Sequence, residues 1–169
     1  MTDNDVVFHQ LLDNSVTLGL GVSPENCQLI VRSQPHYHLR HRAQDMSARQ
    51  TANCLKNHPS VAQVLHPTLS GSPGHEIWQL EFTGAASLFS IVFKTHISQD
   101  RIDRCAESLK LFQLEFSWGG AVSLIVPFAR NQMPPSYSYE GILARFYIGL
   151  EDTNDLLQDV EQAFNQLLD

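Results

Sequence analysis

Apolar positions along this chain fall into helical and alternating patterns in turn. Residues 5–16 carry Val6, Val7, Leu11, Leu12 and Val16 at weakly helical spacing, and Leu18-Gly-Leu-Gly-Val22 breaks the pattern. Ser23-Pro24-Glu25 predicts a helix start, with a hydroxyl N-cap, proline at the first helical position and an acid near the positive end of the dipole. Pro35 interrupts or kinks that helix. Residues 36–57 hold neither glycine nor proline, so one long helix is expected, stopped by Asn57-His-Pro59.

Residues 61–66 are β-branched and alternating, which predicts a strand, and 67–74 hold two prolines and two glycines, a loop. Residues 76–82 predict a short helix carrying Trp78, and 87–94, rich in Phe, Ile and Val, a buried strand. Ser98 is placed to cap a helix reaching about Leu109, with Ile102, Cys105, Ala106 and Leu109 on one face. Strands are expected at 114–116 and 122–126, on either side of Gly119-Gly120, then an irregular loop over 127–139 and a strand over 142–148. Residues 152–168 predict an amphipathic helix. Leu156, Leu157, Val160, Ala163, Phe164, Leu167 and Leu168 form its apolar stripe, and Asp152, Asp155 and Asp159 are expected to face the other way. This order of elements fits an α+β (α/β) sandwich, a long N-terminal helix with a mixed or antiparallel sheet covered on one side by helices.

Composition narrows the class. A length of 169 residues with 43% hydrophobic and 17% charged positions is a one-domain globular chain. At this size roughly 68–70% of the unfolded surface can be buried, so disulfides are not needed. The longest apolar runs are too short to span a bilayer, and Met-Thr-Asp-Asn-Asp does not open as a signal peptide. A net charge of −7 and a pI near 5.5 argue against nucleic acid as partner. Cys27, Cys54 and Cys105 are odd in number and form no CxxC pair, which predicts free thiols and a cytoplasmic setting.

Three clusters could carry chemistry. In the strand over 142–148, alternation puts Ile142, Ala144, Phe146 and Ile148 on one face and Leu143, Arg145 and Tyr147 on the other. A guanidinium amid apolar neighbours needs an anion to offset its desolvation, either an internal carboxylate or a ligand. Ser117-Trp118-Gly119-Gly120 permits a close backbone approach or an ordinary turn. His36, His38 and His41, flanked by Arg40 and Arg42, are spaced wrongly for a shared helix face, and no cysteine or carboxylate completes a zinc set, so a solvated basic face is expected and no metal site. Residues 32–49 hold four arginines and one aspartate, whereas 151–169 hold six acids and no base.

Several motifs together carry a family resemblance. They are Phe116-Ser-Trp-Gly-Gly-Ala-Val-Ser-Leu124, Leu143-Ala-Arg-Phe-Tyr-Ile-Gly-Leu-Glu-Asp152 and Leu156-Leu-Gln-Asp-Val-Glu-Gln-Ala-Phe164, supported by His58-Pro-Ser-Val, Leu65-His-Pro, Gly71-Ser-Pro-Gly-His-Glu-Ile-Trp78, Phe82-Thr-Gly84 and Leu88-Phe-Ser90. In order and spacing they resemble the C-terminal part of the cystathionine β-lyases, pyridoxal-phosphate (PLP) enzymes of Cys/Met metabolism with the type I fold. The resemblance implies a helical segment over 1–57, comprising the end of the PLP domain, a linker and the long helix. It implies a C-terminal domain over 58–169 with a small, mainly antiparallel sheet.

For function, the resemblance implies part of a carbon–sulfur lyase performing α,β-elimination on a cystathionine-like amino acid in methionine and transsulfuration metabolism. Arg145 matches the arginine that clamps the substrate α-carboxylate, and Ser117 and Trp118 match the lining of the same pocket. In the family the Schiff-base lysine lies upstream of this segment. The contexts of Lys56, Lys94 and Lys110 do not resemble it, so no catalytic or cofactor-binding residue and no bound PLP are expected in this chain alone. The implied partners are the N-terminal domain or further copies of the chain. The alternative reading is a non-catalytic interaction domain that kept the fold. Ser87 stands where the family usually has glycine, Ala121-Val122 where it usually carries a bulky or acidic residue, and Phe116 replaces a frequent tyrosine.

Overall fold

Side-chain caps mark three of the six α-helix starts among the described residues. In the computed structural model, which describes residues 2–134 and 136–168, α1 spans Asp5–Thr17 and the Asn4 side chain accepts from the Val7 amide. α2 spans Pro24–Ser33, with the Ser23 hydroxyl accepting from the Asn26 amide at 3.3 Å. Pro35 sits in a single 3₁₀ turn, Gln34–His36, and α3 follows directly over Tyr37–Lys56. Further on come β1 (Val61–Leu65), α4 (His75–Glu81), β2 (Leu88–Phe93), α5 (Gln99–Ser108), β3 (Gln113–Leu114), β4 (Leu124–Phe128), β5 (Leu143–Tyr147) and α6 (Thr153–Asn165). Ser98 occupies the N-cap of α5, but its side chain makes no capping bond, whereas the Asp152 carboxylate caps α6 by accepting from the Asn154 amide.

The chain divides into two units, residues 1–38 and 39–169. In the first, no residue of α1 or α2 is buried, and Val6, Leu11, Leu12, Leu29, Ile30 and Val31 lie largely in the open.

The second unit holds one five-stranded sheet in the order β1-β2-β5-β4-β3. All neighbours are antiparallel except β3 and β4. Phe89, Phe146 and Ile125 are register partners on one face, as are Ile91, Ala144 and Pro127. Against that face pack Ala48, Ala52 and Leu55 of α3, Ile102, Cys105 and Ala106 of α5, and Leu156, Val160, Ala163 and Phe164 of α6. Phe89 and Phe146 stack at 5.1 Å and Phe112 meets Phe146 edge-on. Helices thus cover one side of a mainly antiparallel sheet, as the patterning predicts.

Three expectations are not met. Asp159 does not face solvent: it is buried, and its carboxylate accepts from the Lys110 amide through both oxygens at 2.9 Å and from the Leu111 amide at 2.8 Å. A single acid inside an otherwise polar stripe can serve the backbone turn after a neighbouring helix, and periodicity does not see that. Pro127 belongs to β4 rather than to a loop. β3 pairs with β4 only as far as Ile125, so beyond it β4 has an open edge where a residue without N–H is tolerated. Phe116 lies outside β3, and β4 begins at Leu124 instead of Val122, which frees 115–123 to act as a loop.

Candidate functional site

Because β3 and β4 run parallel, no tight hairpin can join them. Residues 115–123 therefore form a returning loop, and Gly119 supplies the left-handed turn at φ 88°. This loop carries Phe116, Ser117 and Trp118 to the side chain of Arg145.

Arg145 is the central residue of β5, flanked in register by Ser90 on β2 and Val126 on β4. Its neighbours Ala144 and Phe146 are fully buried in the helix-covered core, so the pleat sends the guanidinium to the opposite face. There its Nη2 donates to the Ser117 carbonyl at 3.3 Å. Its Cζ lies 4.2 Å from the Phe116 ring centroid and 5.7 Å from that of Trp118. Arg145 is half-buried, and this burial lowers its pKa. Among the described residues it forms no ion pair; the ion pair present is Arg49–Asp45, at 2.9 Å. The three residues expected at the site, Arg145, Ser117 and Trp118, thus come together. Ser117 contributes its carbonyl to the arginine.

The loop is tied down by groups that sequence reasoning missed. Tyr147 Oη donates to the Gly120 carbonyl at 2.6 Å, and Gln44 Nε2 of α3 donates to the same carbonyl at 3.0 Å and to Tyr147 Oη at 2.7 Å. The Leu150 amide donates to the Ala121 carbonyl at 2.7 Å. Glu151 accepts from the Ser123 amide at 2.7 Å and from its hydroxyl at 2.8 Å, while that hydroxyl oxygen accepts from the Gly149 amide at 2.8 Å. A Cβ at position 149 would run into the Ala121 carbonyl, so only glycine lets the end of β5 pass this close. The alternation of β5 reveals that Tyr147 shares the face of Arg145. Nothing in the sequence singles out Gln44, whose partners lie 76 and 103 residues away.

Lys56, Lys94 and Lys110 are all exposed, at the end of α3, after β2 and after α5. None of them belongs to the cluster around Arg145. His36 and His38 are exposed in the first unit, and among the described residues no three His, Cys, Asp or Glu side chains gather as a metal site.

Residues 2–165 match the family model of the Cys/Met metabolism PLP-dependent enzymes. The chain belongs to this family. It is 33% identical over 166 residues to cystathionine beta-lyase of Escherichia coli strain K12, covering 95% of this chain and 42% of that protein. It is also 31% identical over 164 residues to an L-alanine/L-glutamate racemase of Wolbachia pipientis wMel, covering 95% and 41%. A crystal structure of cystathionine gamma synthase from Xanthomonas oryzae pv. oryzae in complex with cystathionine aligns at a TM-score of 0.85 and 26% identity, covering 99% of this chain and 45% of that one. The chain thus spans about two fifths of the length of the curated relatives it matches, in their C-terminal part. Among the described residues no helix is long and apolar enough to cross a membrane.

Proposed function

We propose that this chain supplies the substrate-carboxylate part of a PLP-dependent carbon–sulfur lyase that performs α,β-elimination on cystathionine or a similar amino acid. One observation carries the reading: Arg145 is half-buried and desolvated, and among the described residues it has no carboxylate partner and donates a hydrogen bond to a carbonyl alone. A desolvated guanidinium is stabilised strongly by an anion, and its parallel N–H donors match the two oxygens of a carboxylate. Arg145 fixes the substrate by its α-carboxylate, and Ser117 and Trp118 line the same pocket. Holding the carboxylate at one point sets the orientation of the bonds at the α-carbon, the part of catalysis that positioning supplies.

The residues present do not by themselves fit the cofactor. All three lysines are exposed and lie apart from the Arg145 cluster. In this reading residues 1–57 follow a region that bears the Schiff-base lysine, residues 58–169 are the carboxylate-binding domain, and the compartment is the cytoplasm. The open apolar residues of α1 and α2 support association with that region or with another copy of the chain.

Co-expression with an N-terminal region carrying the lysine, followed by an assay of thiol release from cystathionine, tests the proposal. Activity should require both pieces, and Arg145→Ala should raise KM sharply. A folded, PLP-loaded complex without thiol release, or one indifferent to Arg145→Ala, overturns it.

A further inference from the structure

The strand alone does not hold the Arg145 guanidinium in place. A long, flexible side chain on the open face of a sheet samples many rotamers, and ordering it costs entropy at the moment a ligand binds. Here three contacts restrict it. The Phe116 ring lies 4.2 Å from Cζ, the Ser117 carbonyl accepts from Nη2 at 3.3 Å, and Trp118 stands 5.7 Å off. Phe116 is itself steadied from the sheet, since Phe128 of β4 meets it edge-on with centroids 6.2 Å apart and planes at 86°. Edge-to-face contact directs the positive rim of one ring at the negative face of another. The order Phe128, Phe116, Arg145 therefore links the rigid backbone of β4 to the guanidinium.

We infer that Phe116 is a positioning residue: it holds the Arg145 guanidinium so that an ordered N–H edge awaits a carboxylate. The inference rests on the carboxylate reading given above for its purpose, but its geometry can be tested independently. The ring face does the work, so a hydroxyl at its far end is neither required nor harmful. Leucine at this position keeps apolar bulk but has no π face, so the guanidinium keeps only the Ser117 carbonyl and Trp118 and is held more loosely. Phe116 is 65% exposed, so its replacement opens no cavity in the core and the variants should fold.

The experiment uses the full chain with ¹⁵N-labelled arginine. The Arg145 Nε–Hε signal is assigned by its disappearance in Arg145→Lys. In the wild type and in Phe116→Tyr it should lie upfield of the ordinary arginine position, because of the aromatic ring current. In Phe116→Leu it should return toward that position. Propionate, titrated at constant ionic strength with chloride as control, should shift the same signal. Its apparent affinity should fall roughly two- to five-fold in Phe116→Leu, the range a cation–π contact at an exposed site supplies, and recover in Phe116→Tyr. A signal and an affinity unchanged by Phe116→Leu overturn the positioning role. Should propionate fail to bind the wild type, the carboxylate reading fails, while the ring-current shift still decides whether Phe116 holds Arg145.

Discussion

Asp159→Ala should be among the most damaging single changes in the second unit. Asp159 is 6% exposed on α6, and its carboxylate accepts from two backbone amides, the Lys110 N–H shared between both oxygens and the Leu111 N–H, at 2.8–2.9 Å, plus Gln162 Nε2 at 3.1 Å. These amides belong to the turn that leaves α5, so the acid ties two core helices and the approach to β3 together. Hydrogen bonds to a charged acceptor are worth about 1.5–3 kcal/mol each, and stranding a buried donor costs a similar amount. Two amides lose their acceptor. Lys110 is an exposed residue, so water can replace part of its bond, and alanine is the better helix former by about 0.5 kcal/mol. The net loss should be about 2–4 kcal/mol. At a urea m-value of about 2 kcal/mol/M, this moves the midpoint by about 1–2 M. Urea unfolding followed by far-UV circular dichroism and tryptophan fluorescence reads it. Asp159→Asn is the informative companion: it keeps the volume but turns an NH₂ toward one of the donors, so it should lose most of the same stability. An alanine variant within about 0.5 kcal/mol of wild type, or an asparagine variant equal to it, would refute the reasoning.

Arg145→Ala should change stability by less than about 1 kcal/mol, because no buried pair is broken; a loss of about 3–5 kcal/mol in denaturant unfolding would mark a structural ion pair instead. His66 is fully buried and its Nδ1 accepts from the Thr68 amide, so the proton sits on Nε2, which has no partner among the described residues. Burial depresses its pKa from the ordinary 6.5 to about 4. As pH falls, the unfolded chain takes the proton first, so stability is full above about pH 6.5, declines toward pH 4 by up to about 3 kcal/mol, and levels off below. An NMR titration showing the His66 ring protonating near pH 6.5 contradicts this. The exposed apolar residues of α1 and α2 should drive self-association of the chain on its own, and a clean monomer at micromolar concentration in analytical ultracentrifugation would contradict that. Mixing the chain with PLP should give no stoichiometric aldimine band, since all three lysines are exposed; a band abolished by replacing one particular lysine would refute this.

Much of the architecture was legible because it rests on local periods. The stripe of α5 lands on Ile102, Cys105, Ala106 and Leu109, all buried, and the alternation of β5 places Ala144 and Phe146 in the core and Arg145 on the other face. Ser23 and Pro24 start α2 because the cap chemistry is contained within four residues. The family motifs named Arg145, Ser117 and Trp118, which the fold brings together. The sequence left open what each side chain meets across long separations. Asp159 turns inward because two amides some 49 residues earlier need an acceptor. Pro127 can lie in a strand because β3 stops short beside it. Gln44 gains its role only when α3 is packed beside a loop 76 residues away. Periodicity reports which face a residue occupies. Whether that face meets a carbonyl, an aromatic ring or open solvent is set by tertiary packing, and around Arg145 that packing determines the chemistry of the site.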